Sequence, residues 1–280
     1  MAIYAFLNPK SGSMPENASS LLENALTGHG LSFERLEAGT GSLTGGLSGH
    51  AFTREDLLIV WGGDGTIACA IEETADQAPL ILPLPGGTMN LLHKRIHGAA
   101  MGWQDCLDRA LGAGRPAWLT GGRADGRPFY VALMAGALTR LSEAREALRS
   151  ADILGAARKA TMNDAFALEP DLLLNAGETE EPATAIGAFV NPHGERANLE
   201  IGAIDPDNIA ELAAIGLAAA LDSWQSVAGI HVHRVKEARL RSREGTGIDA
   251  TLDGEAVRLP AGVTLSLVPK CARVLSAASS

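Results

Sequence analysis

The sequence predicts a parallel α/β sheet flanked by helices, followed by a β-rich, sandwich-like domain. Three observations carry this. Leu57-Leu58-Ile59-Val60-Trp61 is an unbroken apolar run of strand length, the pattern of a strand buried on both faces of a helix-covered parallel sheet. The succession strand, glycine turn, helix then occurs twice, through Gly62-Gly63-Asp64-Gly65-Thr66 and through Pro85-Gly86-Gly87-Thr88. From about Pro116 this gives way to short apolar segments separated by Gly, Pro and Asn turns, as in an antiparallel β domain. A chain of 280 residues is long enough for both.

In chain order, Ala2–Leu7 reads as the first strand and Pro15–Thr27 as a helix, with Leu21, Leu22, Ala25 and Leu26 at helical spacing. Leu31–Leu36 alternates as a strand, and the Gly/Ser/Thr-rich stretch Gly39–Gly49 reads as an exposed loop. A helix to about Asp76 follows the buried strand Leu57–Trp61. Leu80–Leu82 is the next buried strand, leading through Pro-Gly-Gly into a helix from about Met89. Strand character returns at Ala117–Thr120, Phe129–Met134, Leu172–Asn175, Ala185–Val190, His231–Leu240 and Thr264–Val268. Helical spacing survives at Leu138–Ala160 and Ile209–Leu221. These divisions predict a first domain at 1–121 joined by 265–280, and a second at 122–264.

Composition excludes several functions. Lys and Arg number 23 against 33 Asp and Glu, a formal net charge of −10, and neither part of the chain is basic, so no nucleic-acid partner is expected. The longest near-uninterrupted apolar run, Ala213–Leu221, is half of a bilayer-spanning helix. The start MAIYAFLNPK lacks the basic region, apolar stretch and small-residue cleavage site of a signal peptide. Cys69, Cys106 and Cys271 are far apart, odd in number and without a CxxC pair, which fits a reducing cytoplasm. A cytoplasmic protein is the expectation.

The glycine turns carry the chemistry. Glycines between a buried strand and a helix let backbone N–H groups face an open space, and the helix N-terminus adds partial positive charge, so an anion such as a phosphate is favoured there. Ligands of open parallel sheets collect at the carboxyl ends of the strands, where both turns lie. Asp64 is out of place in an anion site unless a cation intervenes or it faces a hydroxyl as a base; the plainer reading is a helix N-cap. Thr88 and Asn90 repeat the arrangement after the next strand. Asn8-Pro9-Lys10-Ser11-Gly12 follows the first strand and adds a cation and a hydroxyl, or is simply a surface turn.

NPKSG, GGDGT and PGGTMN, in this order and spacing, resemble the diacylglycerol kinase catalytic-domain family, which includes bacterial lipid kinases, sphingosine kinases and ceramide kinases. The resemblance runs through residues 1–97 and resumes at Leu252-Asp253-Gly254-Glu255. GGDGT is shared with NAD kinases and marks the superfamily; NPKSG and PGGTMN mark the lipid-kinase branch. The resemblance implies an α/β nucleotide-binding domain, a β-rich acceptor-binding domain, and transfer of a phosphoryl group from ATP, with Mg²⁺, to a hydroxyl of a diacylglycerol-like lipid. ATP phosphates would bind at Gly62, Gly63, Gly65, Thr66, Gly87 and Thr88, with Asn8, Ser11 and Asn90 lining the nucleotide site. Asp64 would be catalytic beside the Mg²⁺–phosphate group, Asp253 would take the acceptor hydroxyl's proton, and Glu255 would hold metal or nucleotide. A homodimer and peripheral contact with the inner membrane surface are further implications.

Without the resemblance, Asp253-Gly254-Glu255 reads as a hairpin turn. Two stretches depart from the family. Met134-Ala135-Gly136-Ala137-Leu138 lacks the Asp of a GFDA-like segment, and Arg196-Ala197-Asn198-Leu199-Glu200-Ile201 lacks the acidic pair of a DDGLLD-like run, so the structural magnesium site that such a run supports is expected to be absent or rebuilt. The departures leave two rivals: a kinase of a soluble hydroxyl compound such as NAD or a sugar, and a degenerate nucleotide-binding regulator. Elsewhere, His93 and His97 lack the glutamate of a zinc hydrolase and are expected to pack rather than bind metal. Arg239, Arg241 and Arg243 alternate as a solvated strand edge would, Leu138–Ala160 reads as an ordinary amphipathic helix, and Glu178–Glu181 as a solvated loop.

Overall fold

A computed structural model describes residues 1–36, 47, 49–139, 170–178, 180–191, 197–204 and 231–278. It divides into two units, Met1–Thr120 with Pro269–Ser280, and Gly121–Val268. The elements begin with β1 (Ile3–Leu7), α1 (Ala18–Gly28), β2 (Glu34–Leu36), β3 (Leu57–Gly62), α2 (Asp64–Glu73), β4 (Leu80–Pro85), α3 (Leu91–His97), α4 (Trp103–Ala113) and β5 (Arg115–Ala124). The strands β6 (Arg127–Phe129), β7 (Ala132–Gly136), β8 (Leu172–Asn175), β9 (Glu180–Ala183), β10 (Ala185–Asn191) and β11 (Asn198–Ile204) follow. The last are β12 (His231–Val235), β13 (Glu237–Ser242), β14 (Ile248–Leu252), β15 (Glu255–Leu259) and β16 (Gly262–Ser276).

The first unit is a parallel sheet in the order β2-β1-β3-β4-β16, the last pairing through Arg273 and Val274. Alternate residues of each strand face α1 and α4: Ile3, Ala5 and Leu7 of β1 and Leu57, Ile59 and Trp61 of β3 pack with Leu22, Leu26, Leu107 and Ala110. The other face is covered in part by α2, which packs on β3 and buries Ile67 and Ile71. Every residue of β3 is therefore buried, as its unbroken apolar run requires. The chain leaves β1 for β2 on one side and returns to β3 on the other, so the order reverses between β1 and β3. A crevice opens at such a switch point, at the carboxyl ends of the strands.

Strand β4 runs past the expected Leu82 through Pro83 to Pro85. Proline is tolerated because β16 pairs with β4 only at Leu80 and Ile81, and the Pro83 carbonyl points instead at His97. Leu31–Leu36 shortens to Glu34–Leu36, and the helices begin or end a few residues inside their expected limits.

The second unit is a sandwich of two antiparallel sheets. One contains β16-β13-β8-β9, with β5 beside β16 and β6 beside β5; the other runs β12-β11-β10-β7-β14-β15. Leu174, Leu240 and Leu265 of the first sheet meet Leu133, Ile186, Ile201 and Ala250 of the second in one core. The expected strand Phe129–Met134 is split into β6 and β7, because the amides of Tyr130 and Val131 turn to a carboxylate described below. His231–Leu240 is also split at Lys236, its halves β12 and β13 joining different sheets. The arginine-bearing strand β13 is not an edge: it lies between β16 and β8, with Ala238 and Leu240 inward and Arg239 and Arg241 outward. Glu180 and Glu181, expected in a loop, lie in β9, where Glu180 pairs with Arg241 and Glu181 with His233. Glu200 is buried and accepts from Arg234 Nε and Asn191 Nδ2, each at 3.0 Å. Residues 137–139 are helical; the rest of the expected helix Leu138–Ala160, the helix Ile209–Leu221 and most of the loop Gly39–Gly49 lie outside the described residues.

Candidate functional site

Three loops leave the carboxyl ends of β1, β3 and β4, and hydrogen bonds and contact hold them together. Ser11 Oγ accepts the Gly63 N–H at 3.1 Å. Ser13 ties the first loop to the third: its N–H reaches the Gly86 carbonyl and its hydroxyl the Gly87 carbonyl, each at 2.9 Å. Gly86 N–H reaches the Gly62 carbonyl at 2.8 Å. Asn8 is buried and donates from Nδ2 to Thr66 Oγ1 at 2.8 Å.

The glycines are required by this closeness. A Cβ on Gly87 would stand 2.7 Å from Gly63 Cα, and one on Gly86 2.9 Å from Gly62 Cα. A Cβ on Gly62 would stand 2.6 Å from the Thr66 side chain. At Gly86 and Gly87 a Cβ would meet backbone, which cannot yield as a side chain can.

Several groups expected to meet a phosphate are already engaged. The N–H of Gly63 goes to Ser11, that of Thr66 to the Gly63 carbonyl, and that of Gly87 to Asn90 Oδ1 at 2.8 Å. Asn90 also donates from Nδ2 to the Gly87 carbonyl, so its side chain braces the turn from within. The amides of Asp64, Gly65, Thr88 and Met89 have no acceptor among the described residues. Gly65, Thr88 and Lys10 are exposed. The donor set fits an anion with several oxygens.

Asp64 is the first residue of α2, whose N-cap is Gly63. Its Oδ2 accepts the Leu91 N–H at 2.8 Å and its Oδ1 the Leu92 N–H at 2.9 Å, so the carboxylate caps α3 rather than its own helix.

Within the second unit, Asp253 and Gly254 form the two-residue turn of the β14–β15 hairpin, with φ of 51° and 91°. Positive φ at both positions is the geometry that favours Asp-Gly. The Asp253 carboxylate accepts three backbone N–H groups, from Tyr130 at 2.6 Å, Val131 at 2.7 Å and Ala132 at 2.8 Å. The hairpin is legible in the sequence, but this clamp, whose donors lie more than 120 residues away, is not. Glu255 is exposed at the start of β15. The carboxylates of Asp64 and Glu255 are hard oxygen donors of the kind Mg²⁺ takes.

A cluster in the first unit was only half anticipated. His93, His97 and Cys106 are buried and bring ligand-type atoms within 4.8 Å of one another. His97 Nε2 lies 2.9 Å from the Pro83 carbonyl, while Nδ1 accepts the Ala277 N–H at 3.0 Å. These partners assign the proton to Nε2, so His97 has no lone pair left for a metal. Burial lowers the pKa of His97 and pushes that of Cys106 up to about 12. His93 is lowered to about 3, by burial first and then by His97 and Lys94; its Nε2 has no partner among the described residues. The cluster ties α3, β4, α4 and Ala277 together.

No helix among the described residues is long and apolar enough to cross a membrane. Residues 2–116 match the family model of the diacylglycerol kinase catalytic domain. No curated protein matches the chain. Among solved structures it is similar to one described as a diacylglycerol kinase from Bacillus anthracis strain Sterne, with 15% identity, a TM-score of 0.67, and coverage of 98% of this chain and 96% of the other. Two further structures from the same strain, each 16% identical, give TM-scores of 0.68 and 0.70. Coverage is 98% of this chain in both, and 96% and 97% of theirs. These likenesses show the fold: an α/β unit followed by a β-rich one.

Proposed function

From a chain whose residues 2–116 carry the diacylglycerol kinase catalytic-domain match, we propose an ATP-dependent kinase that transfers the γ-phosphoryl group to a hydroxyl of a diacylglycerol-like lipid. The observation that supports it most directly is the joining of three loops at the reversal between β1 and β3, with the amides of Asp64, Gly65, Thr88 and Met89, which have no acceptor among the described residues, in two of them. Gly65 and Thr88 offer the phosphates their amides, and Lys10 a cation. Asn8, Ser11, Gly62, Gly63, Thr66, Gly87 and Asn90 serve the nucleotide by building the cradle. Asp64 in the first unit and Glu255 in the second are each a carboxylate of the kind that would hold Mg²⁺, and the metal would neutralise phosphate charge.

Asp253 is proposed to receive the acceptor hydroxyl's proton. Three backbone N–H groups hold its carboxylate in place and occupy part of its accepting capacity. Phosphoryl transfer through a loose transition state tolerates this, since it needs the hydroxyl positioned more than deprotonated early. The acceptor-binding role falls to the second unit, and contact with a membrane surface follows from a lipid acceptor.

The test is purified protein with labelled ATP and Mg²⁺ against diacylglycerol, ceramide, sphingoid bases, mixed lipid extract, NAD and sugars. Label in a diacylglycerol-like lipid is the expected result. Label in NAD or a sugar alone would make it a kinase of soluble acceptors, and ATP binding with no transfer would make it a nucleotide-binding regulator; either overturns the proposal.

A further inference from the structure

We propose that Asp64 is a positioning residue, a carboxylate cap that locks the turn after β3 to the turn after β4. This rests on the nucleotide site proposed above and concerns how that site is held. The start of α3 needs an outside partner. Its N-cap, Asn90, is in the left-handed region with φ 51° and makes no capping bond to the helix, because both ends of its side chain are bonded to Gly87. The first two amides of α3 would otherwise lack acceptors in a part-buried place. Asp64 supplies both, one oxygen each, from 27 and 28 residues earlier in the chain.

The consequence reaches the cradle. Asp64 opens α2, and the unpaired amides of Asp64 and Gly65 belong to its first turn. The unpaired amides of Thr88 and Met89 precede α3. One rigid carboxylate therefore sets the distance between the two pairs, while the Gly63–Gly87 backbone contact sets how closely they approach. Two oxygens accepting two amides fix orientation as well as distance, as a single hydroxyl cap does not.

A residue that only holds Mg²⁺ behaves oppositely when Mg²⁺ is removed. Its negative charge then repels the phosphates, so neutralising it leaves nucleotide affinity unchanged or improves it. A positioning residue loses affinity on substitution with or without metal.

The experiment compares the full chain with Asp64→Ala and Asp64→Asn, measuring ADP binding by calorimetry in Mg²⁺ and in EDTA. In each ligand-free protein, hydrogen exchange is followed at Leu91 and Leu92. Asp64→Ala is expected to weaken ADP binding in EDTA about ten-fold, the scale of a lost helix cap, and to speed exchange at both amides by at least a similar factor. Asp64→Asn keeps one acceptor oxygen, should fall between, and keeps the test open if the alanine variant does not fold. Unchanged exchange at Leu91 and Leu92 overturns the proposal, as does EDTA affinity that holds or rises while Mg²⁺-dependent binding falls. If the unsubstituted chain binds no nucleotide, the kinase reading fails on its own, and the exchange measurement still decides whether Asp64 holds α3.

Discussion

Ser11 and Gly63 are joined by a hydrogen bond in which Ser11 Oγ accepts the Gly63 N–H at 3.1 Å, across 52 positions of sequence. It fastens the loop after β1 to the loop after β3. Ser11→Ala would leave that amide without its acceptor in a part-buried turn, at about 1 kcal/mol. We expect the thermal midpoint to fall by a few degrees and ADP affinity by roughly five-fold. Differential scanning fluorimetry and calorimetry check this; a variant unchanged in both would show that the bond holds nothing.

Gly87→Ala is expected to be more damaging. The new Cβ would stand 2.7 Å from Gly63 Cα, so the turns must part by most of an ångström. Overpacking of this kind costs about 1–3 kcal/mol, and ADP affinity should fall more than about ten-fold. Gly28→Ala at the end of α1 is the control: nothing lies within 4 Å of its Cβ, and stability should hold or rise slightly. Equal effects of the two substitutions would contradict the packing account.

Asp253→Asn separates the hairpin from the clamp. Asn-Gly is as good a two-residue turn as Asp-Gly, so the hairpin should survive. The amide group of Asn must point an N–H at Tyr130 or at Val131 and Ala132, which are themselves donors. Stability should fall by about 1–3 kcal/mol. Turnover, if Asp253 receives the hydroxyl proton, should fall by about 10² to 10⁴, with ADP binding kept. Denaturant unfolding and a kinetic assay read the two effects independently, and a variant of undiminished stability would dispose of the clamp.

Acid should weaken the first unit. His93 titrates near 6.5 when unfolded and near 3 when folded, because burial and then His97 and Lys94 disfavour its charged form. Between these values the unfolded chain binds a proton that the folded chain refuses. Stability is therefore full above pH 6.5 and falls as pH drops toward 3. Cys106 stays a neutral thiol throughout, and His97, lowered in the same direction, adds to the slope. Unfolding curves from pH 7 to 4 should show this slope, reduced in His93→Phe; an identical slope in the variant would remove His93 as its source.

Much of this organisation was legible in single residues. Leu57–Trp61 reads as a doubly covered strand, since a five-residue apolar run ended by Gly62-Gly63 is of strand length and too short for a buried helix. The glycines at 62, 63, 86 and 87 marked turns where backbone comes close, and the structure brings those turns into contact. The Asp253-Gly254 hairpin followed from local backbone preference alone. Local pattern failed where a distant partner decided. Phe129–Met134 looks continuous, but its central amides are taken by Asp253; β4 looks finished at Leu82, yet Pro83 continues it because its outer side needs no N–H.

In the first unit the succession β1, α1, β2, β3, α2, β4, α3 is written in the sequence, because periodicity and glycine act over a few residues. Which polar groups spend their hydrogen bonds on one another is settled by folding alone. Asp64 on α3, Ser11 on Gly63, Asn90 on Gly87 and His97 between Pro83 and Ala277 are pairings set by the folded backbone. A carboxylate or amide looks the same in the sequence whether it waits for a ligand or braces a turn.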